Sequence, residues 1–206
     1  GGSQDLTLEI VDDLVDEKTF PYVVPHKGIY EGFNNGMEKA IGKYIVFLNS
    51  DDKFYSSTVL QEIYNSTQAQ LPDIAYGNIN LVNETGKCVR NWVAGQFYLR
   101  KLKFGWCAPH PGFFFLKNAF DHAFYEDLKI SSDYGFMLTC FLKPSVNVIY
   151  VNQTITDMST GGVSNSGVRS MIEKLREDRN ILRRVGIGSW LTVLFKRLIK
   201  FRQFIG

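Results

Sequence analysis

Apolar positions along the chain switch between helical and strand spacing. From Leu6, the residues Ile10, Val11, Leu14 and Val15 recur at helical intervals with Asp and Glu between them, and an extended stretch follows at 22–24. Residues 32–41 suit a second helix ended by Gly42. The run Tyr44, Ile45, Val46, Phe47, Leu48 then reads as a buried strand. Ser56 or Ser57 caps a third helix through Tyr64. Residues 74–76 form a strand, and 78–82 and 87–92 read as a hairpin around a turn at 83–86 that contains Gly86. Further on come a short aromatic strand at 112–116, a helix running from a cap at Ser131 or Ser132 to Leu142, and a strand at 146–151. A long helix follows, with Val168, Met171, Ile172, Leu175 and Leu182 on one face. Alternation of this kind, interrupted by an antiparallel insertion, predicts an α/β protein with a mixed sheet flanked by helices.

The last segment differs in character. Leu191, Leu194, Phe195, Leu198, Phe201 and Ile205 gather on one helical face, with Lys196 and Lys200 pointing away and Arg197 and Arg202 at the boundary. This is the geometry of an interfacial helix, and it predicts contact with a membrane surface through 190–205; packing against a partner protein is the alternative. Residues 1–186 are expected to form one domain, and 187–206 the basic amphipathic helix.

Composition narrows the class. A chain of 206 residues with 45% hydrophobic content can bury one sizeable core. Its 23 Lys and Arg nearly balance 21 Asp and Glu, so nucleic acid is not an expected partner. Cys88, Cys107 and Cys140 are far apart, odd in number and without a CxxC pair, which argues against a disulfide framework and a structural zinc site and fits a reducing cytosol. No apolar run reaches the length of a membrane span and no signal peptide opens the chain, so the expected place is cytoplasmic and peripheral, on the inner face of the membrane.

Candidate chemistry sits at two points. The strand at 44–48 empties into Asn49, Ser50, Asp51 and Asp52, which puts two carboxylates where open α/β sheets bind ligands. Hard cations such as Mg²⁺ or Mn²⁺ prefer such oxygens, although Asp-rich turns also arise simply because Ser and Asp stabilise turns and caps. Asp133 shares a helical face with Phe136, Met137, Cys140 and Phe141, so it is either a charge complementing the helix start or a carboxylate looking into a cleft. Sugar transfer from a nucleotide donor needs both kinds of group: a cation to neutralise the departing diphosphate and a separate base for the attacking hydroxyl. His110, followed by Pro111 and Gly112, reads as a metal ligand, a sugar or phosphate contact, or a buried structural histidine, and the sugar or phosphate contact is the reading we prefer.

Several blocks in order resemble the family 2 glycosyltransferases of GT-A fold, above all their bacterial polysaccharide-building branch. These are 1–10 (GGSQDLTLEI), 28–36 (GIYEGFNNG) and 42–52 (GKYIVFLNSDD), followed by 110–115 (HPGFFF), 132–134 (SDY) and 161–164 (GGVS). The resemblance runs over 1–184. It implies that Ser50, Asp51 and Asp52 correspond to the metal- and diphosphate-binding DXD signature, with Asp52 the direct ligand, and that Asp133 is the catalytic base. It further implies that Gly2 and Ser3 lie in the nucleotide-binding turn. Asn34 and Gly36 would open a helix near the donor diphosphate, where backbone N–H groups favour anions. Gly161 and Gly162 would belong to a mobile loop over donor and acceptor.

Members of that family begin with a strand, a helix and a second strand, with an Asp ahead of the Gly-Gly-Ser block. This sequence starts at the block itself, so about thirty residues of a first βαβ unit are expected to be missing. The implied activity is inverting transfer of a sugar from a nucleotide-sugar donor, a UDP-sugar, to a carbohydrate or lipid-linked acceptor, with a divalent cation as cofactor. The rival is a noncatalytic remnant acting as a binding or assembly partner. A nucleotidyltransferase fits less well, because the chain lacks a Gly-rich basic loop for a triphosphate.

Overall fold

The structure is a computed structural model that describes residues 5–17, 21–22, 28–160 and 167–202. Helix α1 (Thr7–Asp13) forms where its spacing predicts, but it buries no residue, and Leu6, Ile10 and Leu14 stay exposed. Helix α2 (Ile29–Lys39) starts at Ile29 rather than Gly32. It buries Tyr30 and packs Phe33 and Met37 on the same core, residues spaced three and four apart on one face.

The expected five-residue strand after α2 is much shorter. Strand β1 (Tyr44–Ile45) pairs antiparallel with β5 (Phe113–Leu116), through Tyr44↔Leu116 and Ile45↔Phe115. Beyond Ile45 the chain leaves the ladder, because β5 turns its other edge to β3 (Ile74–Val82) and no described strand flanks β1 on its far side. Among the described residues the sheet runs β1, β5, β3, β6 (Val148–Ser159), β2 (Lys53–Phe54), with β4 (Cys88–Trp92) paired to β3. The predicted hairpin is the β3–β4 pair, closed by a turn in which Gly86 takes φ +77°.

Strand β3 continues unbroken from Ile74 to Val82, and β6 reaches Ser159 instead of stopping at Val151. The two run parallel along most of their length, and each supplies the partner that extends the other. Their register shifts at Gly77, where a Cβ would lie 2.4 Å from Ile155 Cγ1, so only glycine admits the crossing side chain.

Side chains alternate across the sheet. Ala75, Phe114, Val151 and Ile155 pack under helix α3 (Val59–Thr67) through Val59 and Ile63. Ile74, Tyr76, Phe113 and Phe115 face the opposite way, into the larger core with Phe136, Leu138 and Phe141 of helix α4 (Ser132–Phe141). Trp106 and Tyr134 belong to that core, and Trp106 Nε1 donates to the Ala94 carbonyl at 2.8 Å. Helices thus cover both faces of a mixed sheet, as the sequence predicts.

The last two helices depart from expectation. Helix α5 (Gly167–Arg184) buries Ser170, Glu177, Asp178, Ile181 and Leu182, while Met171 and Ile172 of its expected core face remain exposed. Helix α6 (Trp190–Arg202) lies against α5 and a 3-10 turn at Leu99–Phe104. Thr192 Oγ1 donates to the Lys103 carbonyl at 2.7 Å. Gly105, at φ +78°, comes so close that a Cβ would lie 2.6 Å from Lys196 Cβ and 2.7 Å from the Thr192 carbonyl oxygen. Lys196 does not point away from the body: it is 7% exposed, and its Nζ lies 2.9 Å from Asp178 Oδ2. An ammonium enters the interior here because a buried carboxylate meets it. The apolar row faces outward instead, with Leu191, Leu194 and Leu198 each more than half exposed. Ile205 lies outside the described residues.

Candidate active site

The acidic pair occupies a tight turn between β1 and β2, in which Asp52 N–H donates to the Asn49 carbonyl at 3.0 Å. Asn49 Nδ2 donates to Asp52 Oδ2 at 3.0 Å, and Ser159 N–H donates to Asp52 Oδ1 at 3.1 Å. Ser159 Oγ also donates to the Asp51 carbonyl at 2.7 Å. The carboxylate of Asp52 is therefore aimed by the end of β6, which leads directly towards Gly161 and Gly162. Those two glycines, like Gly2 and Ser3, lie outside the described residues.

Two adjacent carboxylates form a hard-oxygen donor set suited to Mg²⁺ or Mn²⁺. Among the described residues no group of three or more His, Cys, Asp or Glu side chains surrounds them.

Asp133 stands in the first turn of α4, a helix buried on nearly every side. Of its first seven residues Asp133 alone is only partly buried, and no hydrogen bond or ion pair among the described residues engages its carboxylate. The turn before it is held from outside. Glu177 of α5, itself buried, accepts N–H bonds from Lys129 at 2.8 Å, Ile130 at 2.9 Å and Ser131 at 2.8 Å. Ser131 occupies the cap position without making a side-chain cap bond. Burial, then the Asp133 charge, push the hydroxyl of the buried Tyr30 well above the usual tyrosine range, so it stays protonated.

The His110 ring lies against Phe33, at 5.6 Å between centroids, and Phe47, at 5.7 Å, which themselves stack at 4.3 Å, with Phe124 edge-on. Nε2 is buried without a hydrogen-bond partner. Burial holds the imidazole below its usual pKa, and the charges of Asp133 and Asp52 pull the other way. Both charges thus favour the protonated imidazole, Asp52 from the turn between β1 and β2 and Asp133 from the first turn of α4.

Asn34 and Gly36 do not open a helix. They lie inside α2, where the helix itself uses the backbone N–H groups. The Asn34 amide instead clamps a distant loop: Nδ2 donates to the Phe124 carbonyl at 3.1 Å and to Glu126 Oε1 at 2.7 Å, and Oδ1 accepts from Phe124 N–H at 2.8 Å. It supports the aromatic wall around His110 rather than presenting donors to a diphosphate. Gly36 is exposed with open space where a Cβ would stand.

Sequence reasoning missed Glu177 as the support of the turn before Asp133. Glu177 sits in a charged helix, where its spacing reads as one more solvated residue, and nothing local marks it as an acceptor for a loop far away in sequence.

The sequence profile described as Glycosyl transferase family 2 matches residues 1–125. The chain belongs to that family. It is 24% identical over 200 residues to glycosyltransferases of PGL/p-HBAD biosynthesis from Mycobacterium bovis and Mycobacterium tuberculosis, covering 94% of this chain and 73% of theirs. Its fold matches S. aureus TarS (residues 1–349) in complex with UDP-GlcNAc, with a TM-score of 0.66, 16% identity and coverage of 89% of this chain and 54% of that one. The UDP complex of the same protein gives a TM-score of 0.62, with 89% and 60% covered. The fold is therefore that of the GT-A glycosyltransferases, and the chain spans a little over half the length of those solved structures.

Proposed function

We propose that the chain transfers a sugar, with inversion, from a UDP-sugar to a carbohydrate or lipid-linked acceptor. The observation that carries this reading is the family match over residues 1–125; the Asp52 carboxylate held by Ser159 and the buried, partnerless Nε2 of His110 are consistent with it. Asp133 accepts the proton of the acceptor hydroxyl as that oxygen attacks the anomeric carbon, and the bond to the nucleoside diphosphate breaks on the opposite face. Asp51 and Asp52 would hold a divalent cation, which would supply charge neutralisation for the leaving diphosphate. The partnerless Nε2 of His110 suits a hydrogen bond to a sugar or phosphate oxygen of the donor. By family resemblance Gly2, Ser3, Gly161 and Gly162 complete the donor contacts. The UDP-GlcNAc and UDP complexes of TarS support the choice of nucleotide.

Residues 1–186 carry the transfer in this reading, and 187–206 carry contact with the membrane. No described helix is long and apolar enough to cross a bilayer. Support for surface contact comes from the exposed Leu191, Leu194 and Leu198, and from a recess of about 160 Å³ beside Trp190 lined by Arg176, Arg179, Asn180 and Arg183. Apolar insertion flanked by cations complements an anionic lipid surface.

The test is Asp133→Asn, assayed for UDP binding with Mn²⁺ and for transfer from UDP-sugars. Binding is expected to persist while turnover drops about a hundredfold or more. Undiminished turnover would remove the base from Asp133. Failure of the native chain to bind UDP would favour a noncatalytic remnant.

A further inference from the structure

Helix α6 meets the turn that carries Asp133 through one buried cation. The Nζ of Lys196 lies 2.9 Å from Asp178 Oδ2 of α5 and 3.1 Å from the centroid of the Tyr134 ring of α4. Three helices thus converge on a single ammonium. Asp178 is buried and its Oδ1 has no hydrogen-bond partner, so among the described residues Lys196 is the cation that compensates its charge. Tyr134 is buried too, and its hydroxyl lacks a partner, which leaves the face of its ring to meet the charge.

Both partners of Lys196 border the turn of the proposed base. Tyr134 follows Asp133 directly in α4. Asp178 follows Glu177, whose carboxylate gathers the N–H groups of Lys129, Ile130 and Ser131. The depth at which α6 sits is fixed at a separate place. A Cβ on Gly105 would lie 2.7 Å from Lys196 N and 2.7 Å from the Thr192 carbonyl oxygen, so only glycine lets the helix backbone approach this far. With the backbone held there, the reach of the Lys196 side chain decides where its ammonium stops.

Stability alone does not call for an ion pair at this point, because apolar side chains of similar volume often hold a buried contact as well or better. A carboxylate and a ring face add direction: together they offer the ammonium one seat, whereas an apolar chain would slide across the ring. The Asp133 carboxylate has no hydrogen bond of its own among the described residues, so its aim follows the backbone of its turn. We propose that Lys196 is a positioning residue for Asp133, binding Tyr134 and Asp178 together and thereby fixing the first turn of α4. It acts through Tyr134 and Asp178 and touches no substrate. This inference rests on the transferase reading given under Proposed function.

The test is the paired change Lys196→Met with Asp178→Leu in the full chain, which removes both charges at once. Thermal midpoint and UDP affinity with Mn²⁺ are expected to match the native chain, while kcat falls about tenfold at unchanged donor KM and the amides of 132–135 exchange hydrogen faster. A folded double variant with native kcat, or with native exchange at these amides, overturns the proposal, since the pair then only fills space. A loss of UDP affinity matching the loss of kcat overturns it as well, because the pair then shapes the whole molecule. If the double variant does not fold, Lys196→Gln carries the same comparison, and failure of both to fold makes the pair a requirement of the fold and ends the positioning role. A native chain without turnover from any UDP-sugar sinks the transferase reading instead, and the exchange comparison still decides whether Lys196 holds the turn.

Discussion

Glu177 takes no proton in the proposed reaction, yet it holds the segment that aims the residue that does. Three backbone N–H groups converge on its carboxylate from the turn before α4, a buried and charge-assisted arrangement. Glu177→Ala is expected to lower stability by about 3–5 kcal/mol in urea unfolding, because three buried donors lose their acceptor. Glu177→Gln keeps one oxygen and should lower kcat while leaving the donor KM unchanged; a matched change in both would mean that the turn shapes donor binding as well. His110 yields a prediction of a different kind. Its folded pKa is depressed by burial, so as pH falls below the ordinary value of 6.5 the unfolded chain gains the proton first. Stability is thus lost from that pH downward, levelling off below the folded pKa. Replacement by Phe should remove this component, so the difference between native and His110→Phe midpoints must shift in favour of the variant between pH 7.5 and 5.5. A difference that does not vary with pH would mean that the ring is freely hydrated.

At the scale of elements, α6 inverts the arrangement of an ordinary surface helix. Its inward side carries Thr192, Val193 and Lys196, and its outward side carries leucines. Packing is polar and close, through the Thr192 bond to Lys103, the bare backbone of Gly105 and the Lys196–Asp178 pair. Phe104 of the neighbouring 3-10 turn extends the apolar row by meeting Phe195 edge-on at 5.8 Å. Since Leu191, Leu194 and Leu198 contribute little to the core, the triple change to Ser should leave the thermal melt nearly unaltered. The same triple variant should sharply reduce sedimentation with vesicles containing phosphatidylglycerol. Retained sedimentation would transfer the membrane role to another surface. The helical period and outward leucines of α6 were legible in its sequence, but the fate of Lys196 was not. A lysine in a basic, amphipathic stretch reads as solvated until the fold brings up Asp178 from α5. The same limitation hid the inward face of α5, where Glu177 and Asp178 displaced the expected Met171 and Ile172.

At the scale of the molecule, the site is made by a sheet that gathers distant segments. The turn at Asp51 and Asp52, the 3-10 turn at His110–Gly112 and the start of α4 lie far apart in sequence, and strands β1, β5 and β6 set where each emerges. Alternation of Phe113, Phe114 and Phe115 between the two cores shows how a period of two already contains the layered architecture. By itself the sequence determined the α/β class, the hairpin and the order of the motif blocks, because each of these is written in local spacing and residue chemistry. Only the tertiary structure decided that β1 is short, that Asn34 clamps a loop instead of opening a helix, that Glu177 holds the turn before Asp133, and that Lys196 is buried. Hydrogen bonds and ion pairs between residues remote in the chain depend on which surfaces meet, and no local pattern encodes that meeting.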